Sequence, residues 1–239
     1  MKQEKLRQVA WIGDDWVKGP IRGVVLSFHG LGGGGPNKEP TTEELGWARA
    51  GALVVFPYYG PWSWMNRQAR AGIDETVDAV YATFRLSRKI PLISAGGSMG
   101  GGGALLYARY AKRPVSACYA LFPVCDTAFH FSERPDLPRT FHHAFAGYKG
   151  TLPALLAEHS PLAQVASMPD IPYLIVHGDK DKLVSKERHS DRMVAALRRR
   201  KCNVEYLEVP GMGHGSPMPI EVLQRGIDFV TAALKSKGV

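Results

Sequence analysis

Short apolar runs alternate along this chain with longer segments of helical period. RGVVLSFHG (22–30), ALVVFPYY (52–59), PLISAGG (91–97), SACYALFP (116–123), YLIVHG (173–178) and NVEYLEVPG (203–211) are nearly continuous in hydrophobicity, as strands buried on both faces are. Helical patterns fall between them, at about 70–87, 99–111, 186–200 and 219–235. In the first, Ile73, Val77, Val80, Tyr81 and Phe84 share one stripe. This alternation predicts a mostly parallel sheet with helices on both faces. Residues 6–17 read as an additional edge strand.

The rhythm breaks once. Residues 124–169 form a connection of roughly 45 residues, far above the usual 2–6, at the C-terminal end of a strand. An insertion there reads as a lid over a site. Its histidines, His130, His142, His143 and His159, match no metal spacing and are expected at the surface or in the lid rather than as ligands. No linker or repeat divides the chain, so 1–239 reads as a single α/β domain carrying that insertion.

Two glycine clusters interrupt the pattern, and both follow strands. HGLGGGGP (29–36) contains G-x-G-x-x-G at Gly30, Gly32 and Gly35. A dinucleotide site would need an acidic residue at the end of the next strand, which instead runs VVFPYYGPWSW. No Walker-type sequence is present either, so neither nucleotide nor other cofactor is expected. ISAGGSMGGGGALL (93–106) joins a buried strand directly to an amphipathic helix, which excludes a flexible linker.

Within it, Gly96-Gly97-Ser98-Met99-Gly100 is G-x-S-x-G. A serine on a sharp strand-to-helix turn needs small neighbours and presents its hydroxyl at the sheet edge, above a helix N-terminus. Serine is a weak nucleophile without a base oriented by a carboxylate. VPGMGHGSP supplies His214 between two glycines after the last strand, and YLIVHGDKDKLV supplies Asp179 and Asp181 after the strand before it. Asp181 is the preferred acid, Asp179 is expected to hold the turn, and Asp126 is the less favoured alternative.

The order Ser98, Asp181, His214, the serine turn and the strand-end positions together resemble the α/β-hydrolase superfamily, from about residue 20 to 235. HGDKDKLV, GGSMGG and GMGHG resemble its dienelactone hydrolase and prolyl oligopeptidase-like branch. The resemblance implies an α/β-hydrolase fold, with Ser98 as nucleophile, His214 as general base and Asp181 as its orienting acid. It also implies an oxyanion hole from the backbone N–H groups of Met99 and Leu31, with Gly32 as alternative to Leu31. Gly101, Gly102 and Gly103 are then expected only to let the helix pack closely on the sheet. Two departures shape the expected activity. Dienelactone hydrolases proper use cysteine where this chain has Ser98, which favours ester hydrolysis. Only about 20 residues precede the first strand, so the peptide-selecting propeller of prolyl oligopeptidases is expected to be missing.

The expected reaction is therefore hydrolysis of a small to medium carboxylic ester through an acyl-enzyme. A peptidase or amidase on the same triad, or a non-catalytic binding protein on this fold, are the alternatives. PYYGPWSW offers Tyr58, Tyr59, Trp62 and Trp64 as walls of a substrate pocket, with Phe129 and Phe131 closing it from above. Packing of the same aromatics beneath the lid is the competing reading.

Charge and cysteine content adjust this only at the margins. The net charge of +8 and the run RRRK (198–201) invite a nucleic-acid reading, but that run ends a predicted helix, where cations complement the dipole. No nucleic-acid motif accompanies it. Cys118, Cys125 and Cys202 suit buried reduced thiols in a cytoplasmic protein. The N-terminus shows no signal peptide, and no run is long enough to span a membrane. Expected partners are an ester substrate and, as an open alternative, a second copy of the chain in a homodimer.

Overall fold

A computed structural model of the protein describes residues 3–34 and 39–235. Seven strands form one sheet: β1 Ala10–Ile12, β2 Gly23–Phe28, β3 Ala52–Pro57, β4 Leu92–Gly97, β5 Ala117–Leu121, β6 Tyr173–Gly178 and β7 Val204–Val209. Their spatial order is β1-β3-β2-β4-β5-β6-β7. β1 pairs antiparallel with β3, and every other pairing is parallel. β2 and β4 are neighbours, so the chain leaves β2 toward one side of the sheet and β4 toward the other. At such a reversal the loops after the two strands part and leave a crevice at their C-terminal ends.

Alternation along each strand divides the core. Val24, Leu26, Leu53 and Val55 face one cluster, which also takes Ile73, Val77 and Val80 from α3 (Arg67–Thr83) and Leu105 from α4 (Met99–Tyr110). Met193 and Leu197 of α8 (Ser190–Arg199) join the same side. Val25, Val54, Ile93 and Leu174 face the other, against Trp47 of α2 (Thr42–Arg49) and Phe229 and Val230 of α9 (Ile220–Lys235). Helices cover both faces, as the strand hydrophobicity requires. The three cysteines are buried free thiols, and no helix among the described residues is long and apolar enough to cross a membrane.

Three elements differ from expectation. The edge strand expected over 6–17 is present but short: β1 stands at the sheet edge beside β3 with three residues, and α1 (Gln3–Val9) takes up the residues before it. QEKLRQV is rich in helix formers, and Leu6 anchors it in the core. α2 was not anticipated, although Thr41 and Glu44 form a capping box, a signal readable in TTEEL. α8 begins later than the periodicity suggested and ends at Arg199; Arg200 caps it, and its guanidinium donates to the Met168 carbonyl at 2.8 Å.

The 124–169 insertion folds as α5 (Thr127–Glu133), α6 (Leu137–Ala144) and α7 (Leu152–Glu158). It is bound to the body by Trp64 Nε1, which donates to Thr140 Oγ1 at 2.9 Å, and by Arg70, paired with Glu158 at 2.7 Å. His142 and His143 are exposed, as expected, but His130 and His159 are buried at 2% and 1%. Each stacks among aromatic rings, His130 beside Trp64 and His159 beside Phe145.

One buried acid links the fold to pH between the ordinary carboxylate range and neutrality. Glu43 on α2 is 6% exposed and accepts from the Tyr119 hydroxyl at 2.5 Å. Burial pushes its carboxyl up to about 7; the Tyr119 bond works against this and neighbouring Glu44 adds to it. A raised folded-state pKa favours folding fully below the unfolded carboxylate range and progressively less as pH rises to about 7. Glu43→Gln, which has no charge to bury, should therefore gain on the wild type between pH 5 and pH 8, by on the order of 3 kcal/mol. Thermal melts of both proteins across that range check it; a constant difference would refute it.

Candidate active site

Ser98 stands between the last residue of β4 and the first of α4, in a backbone conformation that side chains rarely adopt (φ +59°, ψ −124°). Three backbone bonds hold it there. Its N–H donates to Leu121 O at 3.0 Å, and its carbonyl accepts from Gly102 N–H and Val124 N–H. Glycine at 100 is forced, because a Cβ there would lie 2.2 Å from Phe28 O and 2.6 Å from His29 O. The end of β2 thus touches the start of α4. Gly101 and Gly102 likewise face the Leu121 and Val124 carbonyls, the close packing expected of them, whereas Gly103 faces the Met65 side chain.

That contact brings the loop after β2 beside the serine: a Cβ on Gly30 would sit 3.8 Å from Ser98 Cβ. The Met99 N–H opens α4 and has no intrahelical acceptor. Leu31 N–H takes no acceptor among the described residues. Gly32 N–H is already committed to Pro61 O at 2.8 Å, which removes it as a donor. Gly35 of this cluster lies outside the described residues. Tyr59 fixes the loop from below, its hydroxyl donating to His29 O at 2.7 Å and its ring stacking on the His29 imidazole.

Asp181 follows β6, and its side chain is 1% exposed. Oδ1 accepts from Leu183 N–H (2.9 Å) and Val184 N–H (3.0 Å), and Oδ2 accepts from His214 Nδ1 at 2.7 Å. His177 Nε2 lies 3.3 Å from the same Oδ2 and 3.0 Å from Val184 O. Both neighbours are acceptors, so that nitrogen carries the proton, and His177 Nδ1 accepts from Ser190 Oγ at 2.7 Å. Burial works to raise the Asp181 pKa. The bonds from His177, His214 and the two backbone N–H groups overcome it and hold the carboxyl well below the usual carboxylate range. Glycine at 178 lets the strand end approach the His214 loop, since a Cβ would lie 2.0 Å from Met212 O.

The other two acids have different duties. Asp179 accepts from Gly211 N–H at 2.6 Å and so holds the turn, as anticipated. Asp126 caps α5 through Phe129 N–H and pairs with Arg192 at 2.6 Å.

With its Nδ1 proton given to Asp181, neutral His214 keeps a lone pair on Nε2. Neither Nε2 nor Ser98 Oγ takes a hydrogen bond among the described residues. In sites without substrate such bonds are commonly long and tighten on binding. Phe122 packs close by, its ring 4.6 Å from the His214 ring and, at Gly97, in reach of the residue before the serine. Sequence reasoning identified neither Phe122 nor His177 as part of this neighbourhood. For His177 the signal was its place in HGDKDKLV.

The pocket aromatics divide. Tyr58, Tyr59 and Trp62 line a cavity of about 550 Å³ together with His143 and Tyr148 from the insertion. Ser98, Asp181 and His214 do not line it; it adjoins the loop after β2 through the Gly32–Pro61 bond. Trp64 is no pocket wall, for it is 4% exposed and stacks on Phe141 at 4.2 Å beneath the insertion. Phe129 also lies elsewhere, under the Arg188 guanidinium and beside His189, and Phe131 packs on Phe141. Helix α5 turns Phe131 toward the insertion's own core and Phe129 toward the segment that leads into α8.

One group among the described residues gathers metal-type donors: His130, Glu133 and His189. Its chemistry does not fit a metal. His189 Nδ1 accepts from both Cys125 N–H and Asp126 N–H at 3.0 Å. The proton of the neutral ring must then sit on Nε2, which donates it to Glu133 at 3.0 Å. A cation on Nε2 would need an imidazolate.

Comparison with known proteins agrees with the fold. The profile of the prolyl oligopeptidase family matches residues 75–237, more than half of the chain. No match to the sequence was found among curated proteins. A puromycin-hydrolyzing peptidase of Mycobacterium tuberculosis has the same fold with TM-score 0.74 at 19% identity, over 92% of this chain and 35% of that one. This chain therefore spans about a third of that peptidase. A truncated carbohydrate esterase from gut microbiota superposes with TM-score 0.72 at 15% identity, covering 95% and 90% of the two chains. The fluorophosphonate-binding serine hydrolase F of Staphylococcus aureus does so with TM-score 0.66 at 20% identity, covering 94% and 88%. These structures share the α/β-hydrolase fold.

Proposed function

The chain belongs to the prolyl oligopeptidase family and is a serine hydrolase, and from that premise we propose that it is a carboxylesterase acting through Ser98, His214 and Asp181. The observation that carries the reading is the 2.7 Å bond between His214 Nδ1 and a buried Asp181 carboxylate. It leaves His214 Nε2 free to act as a base toward a serine at the C-terminal edge of the same sheet.

Ser98 Oγ attacks the ester carbonyl while its proton passes to His214 Nε2. The tetrahedral oxyanion lies against the N–H groups of Met99 and Leu31, assisted by the positive end of α4. Collapse expels the alcohol, which takes the proton from His214 and leaves an acyl group on Ser98. Water then attacks that carbonyl, His214 accepts its proton and returns it to Ser98, and the acid departs. Asp181 stays ionised throughout and steadies the imidazolium.

What favours esters over peptides is the 550 Å³ cavity beside the loop after β2, which the triad does not line and whose own lining includes Tyr58, Tyr59 and Trp62 but no Asp, Glu, Lys or Arg. Its volume suits a small to medium uncharged group. An exopeptidase would need to neutralise a peptide terminus. The peptidase reading rests on the family and on the puromycin-hydrolyzing neighbour.

A panel of p-nitrophenyl acetate, butyrate and octanoate against aminoacyl p-nitroanilides separates the two. Turnover of the short and medium esters with none of the anilides is the expected outcome. Efficient anilide cleavage would make the chain a peptidase, and inactivity on every ester would end the esterase reading.

A further inference from the structure

Three hydrogen bonds from three segments end on the carboxylate of Glu133, the last residue of α5 in the insertion. Oε2 accepts from His130 Nδ1 (2.5 Å) and from His189 Nε2 (3.0 Å), at the start of α8. Oε1 accepts from the Ser185 N–H at 2.8 Å. Ser185 directly follows Leu183 and Val184, whose N–H groups hold Asp181 Oδ1, and the Val184 carbonyl takes the His177 proton. The near part of this loop thus faces the acid, and its far end is fastened to the insertion.

We propose that Glu133 is a positioning residue for the catalytic acid: through Ser185 it fixes the 181–185 loop so that the Asp181 carboxylate is aimed at His214. The inference rests on Asp181 and His214 being triad members. Its bland counterpart is that Glu133 only staples α5 to α8. The two oxygens distinguish the roles. The staple uses Oε2, where both imidazoles end, whereas Oε1 serves only the acid loop.

The requirement for a carboxylate follows from proton placement. Glu133 faces three donors and is 12% exposed, with little water to replace a lost partner. His189 cannot turn acceptor at Nε2, because Nδ1 already receives two backbone protons. Burial acts to raise the Glu133 pKa, yet the bonds from His130, His189 and Ser185 hold it below the usual carboxylate range. Glu133 therefore stays an acceptor at both oxygens.

Glu133→Gln separates staple from aim. Its amide oxygen satisfies the two imidazole protons, which forces the NH₂ against the Ser185 N–H and severs that link alone. With p-nitrophenyl acetate, kcat should fall about 10- to 100-fold while KM stays within about twofold, the signature of misdirected catalytic groups. The low-field proton NMR resonance of His214 Nδ1–H should shift or broaden.

A Glu133→Gln protein with wild-type kcat and an unmoved resonance overturns the proposal, whatever its melting temperature. Should that variant fail to fold, Ser185→Pro removes the same N–H from the other end and is read identically. The resonance needs no substrate. Failure of the esterase reading would appear instead as a wild type inactive on every ester.

Discussion

Ser98→Ala should lower kcat toward short esters by at least about 10⁴-fold while leaving the fold intact. In the proposed mechanism the loss is large because Ser98, His214 and Asp181 act as one unit, and what remains is the backbone N–H groups and binding. The fold should survive because Ser98 Oγ makes no hydrogen bond among the described residues. Alanine must adopt the same positive φ, so the strain at this turn is unchanged. Ser98→Gly extends the test, for it should be equally inactive yet more stable, by about 1 kcal/mol, since glycine alone relaxes at φ +59°. Steady-state hydrolysis and thermal melts of the two variants check both halves. Full activity in Ser98→Ala would remove Ser98 from the chemistry.

Asp181→Asn should cost about 10³- to 10⁴-fold in kcat, through the tautomer of His214 rather than through disorder. Two backbone N–H groups face Oδ1, so the amide oxygen of asparagine settles there. Its NH₂ then faces His214 Nδ1, where an acceptor had been. The imidazole must move its proton to Nε2, and a protonated Nε2 cannot take one from Ser98. The same NH₂ opposes the His177 proton. Because the wild-type carboxyl is depressed, its stabilising contribution is present above the usual carboxylate range and is lost only as pH falls through and below that range. Asp181→Asn should lack this acid-side slope in melting temperature. Asp126→Asn is the control: it gives up a pairing with Arg192 and should keep activity within a few-fold. Equal losses in the two variants would reopen the choice of acid.

The parts of the molecule legible in the sequence are those where local pattern and tertiary role coincide. Five of the six strands were visible because burial on both faces leaves little polar alternation to confuse them, while β7, half-exposed at the sheet edge, showed itself through Val204, Tyr206, Leu207 and Val209. The serine turn was visible because only glycine fits beside backbone carbonyls at position 100. The pairing of Asp181 with His214 followed from their places at the ends of adjacent strands. Elements governed by packing were less visible. α1 and β1 share a stretch in which helix formers give way to a three-residue strand, too short to show a period. Trp64 and Phe129 were offered as pocket walls because aromatic composition is the same whether a ring lines a cavity or fills a core. His130 was expected at the surface or in the lid, and that it is buried within the lid depends on Glu133 and Trp64, which no spacing rule connects.

The glycines of α4 bear on when the active site comes into being. A helix that begins Met-Gly-Gly-Gly-Gly gives up about 1 kcal/mol per glycine against alanine, so its first turn has almost no helical preference of its own. It is held instead by the carbonyls and side chains packed against it from β2, from β5 and from the start of the insertion. During folding this turn is a consequence of the assembled sheet and not a seed for it. A partly folded chain can therefore carry its other helices and still present no oriented serine, which makes hydrolytic activity a report on completed assembly.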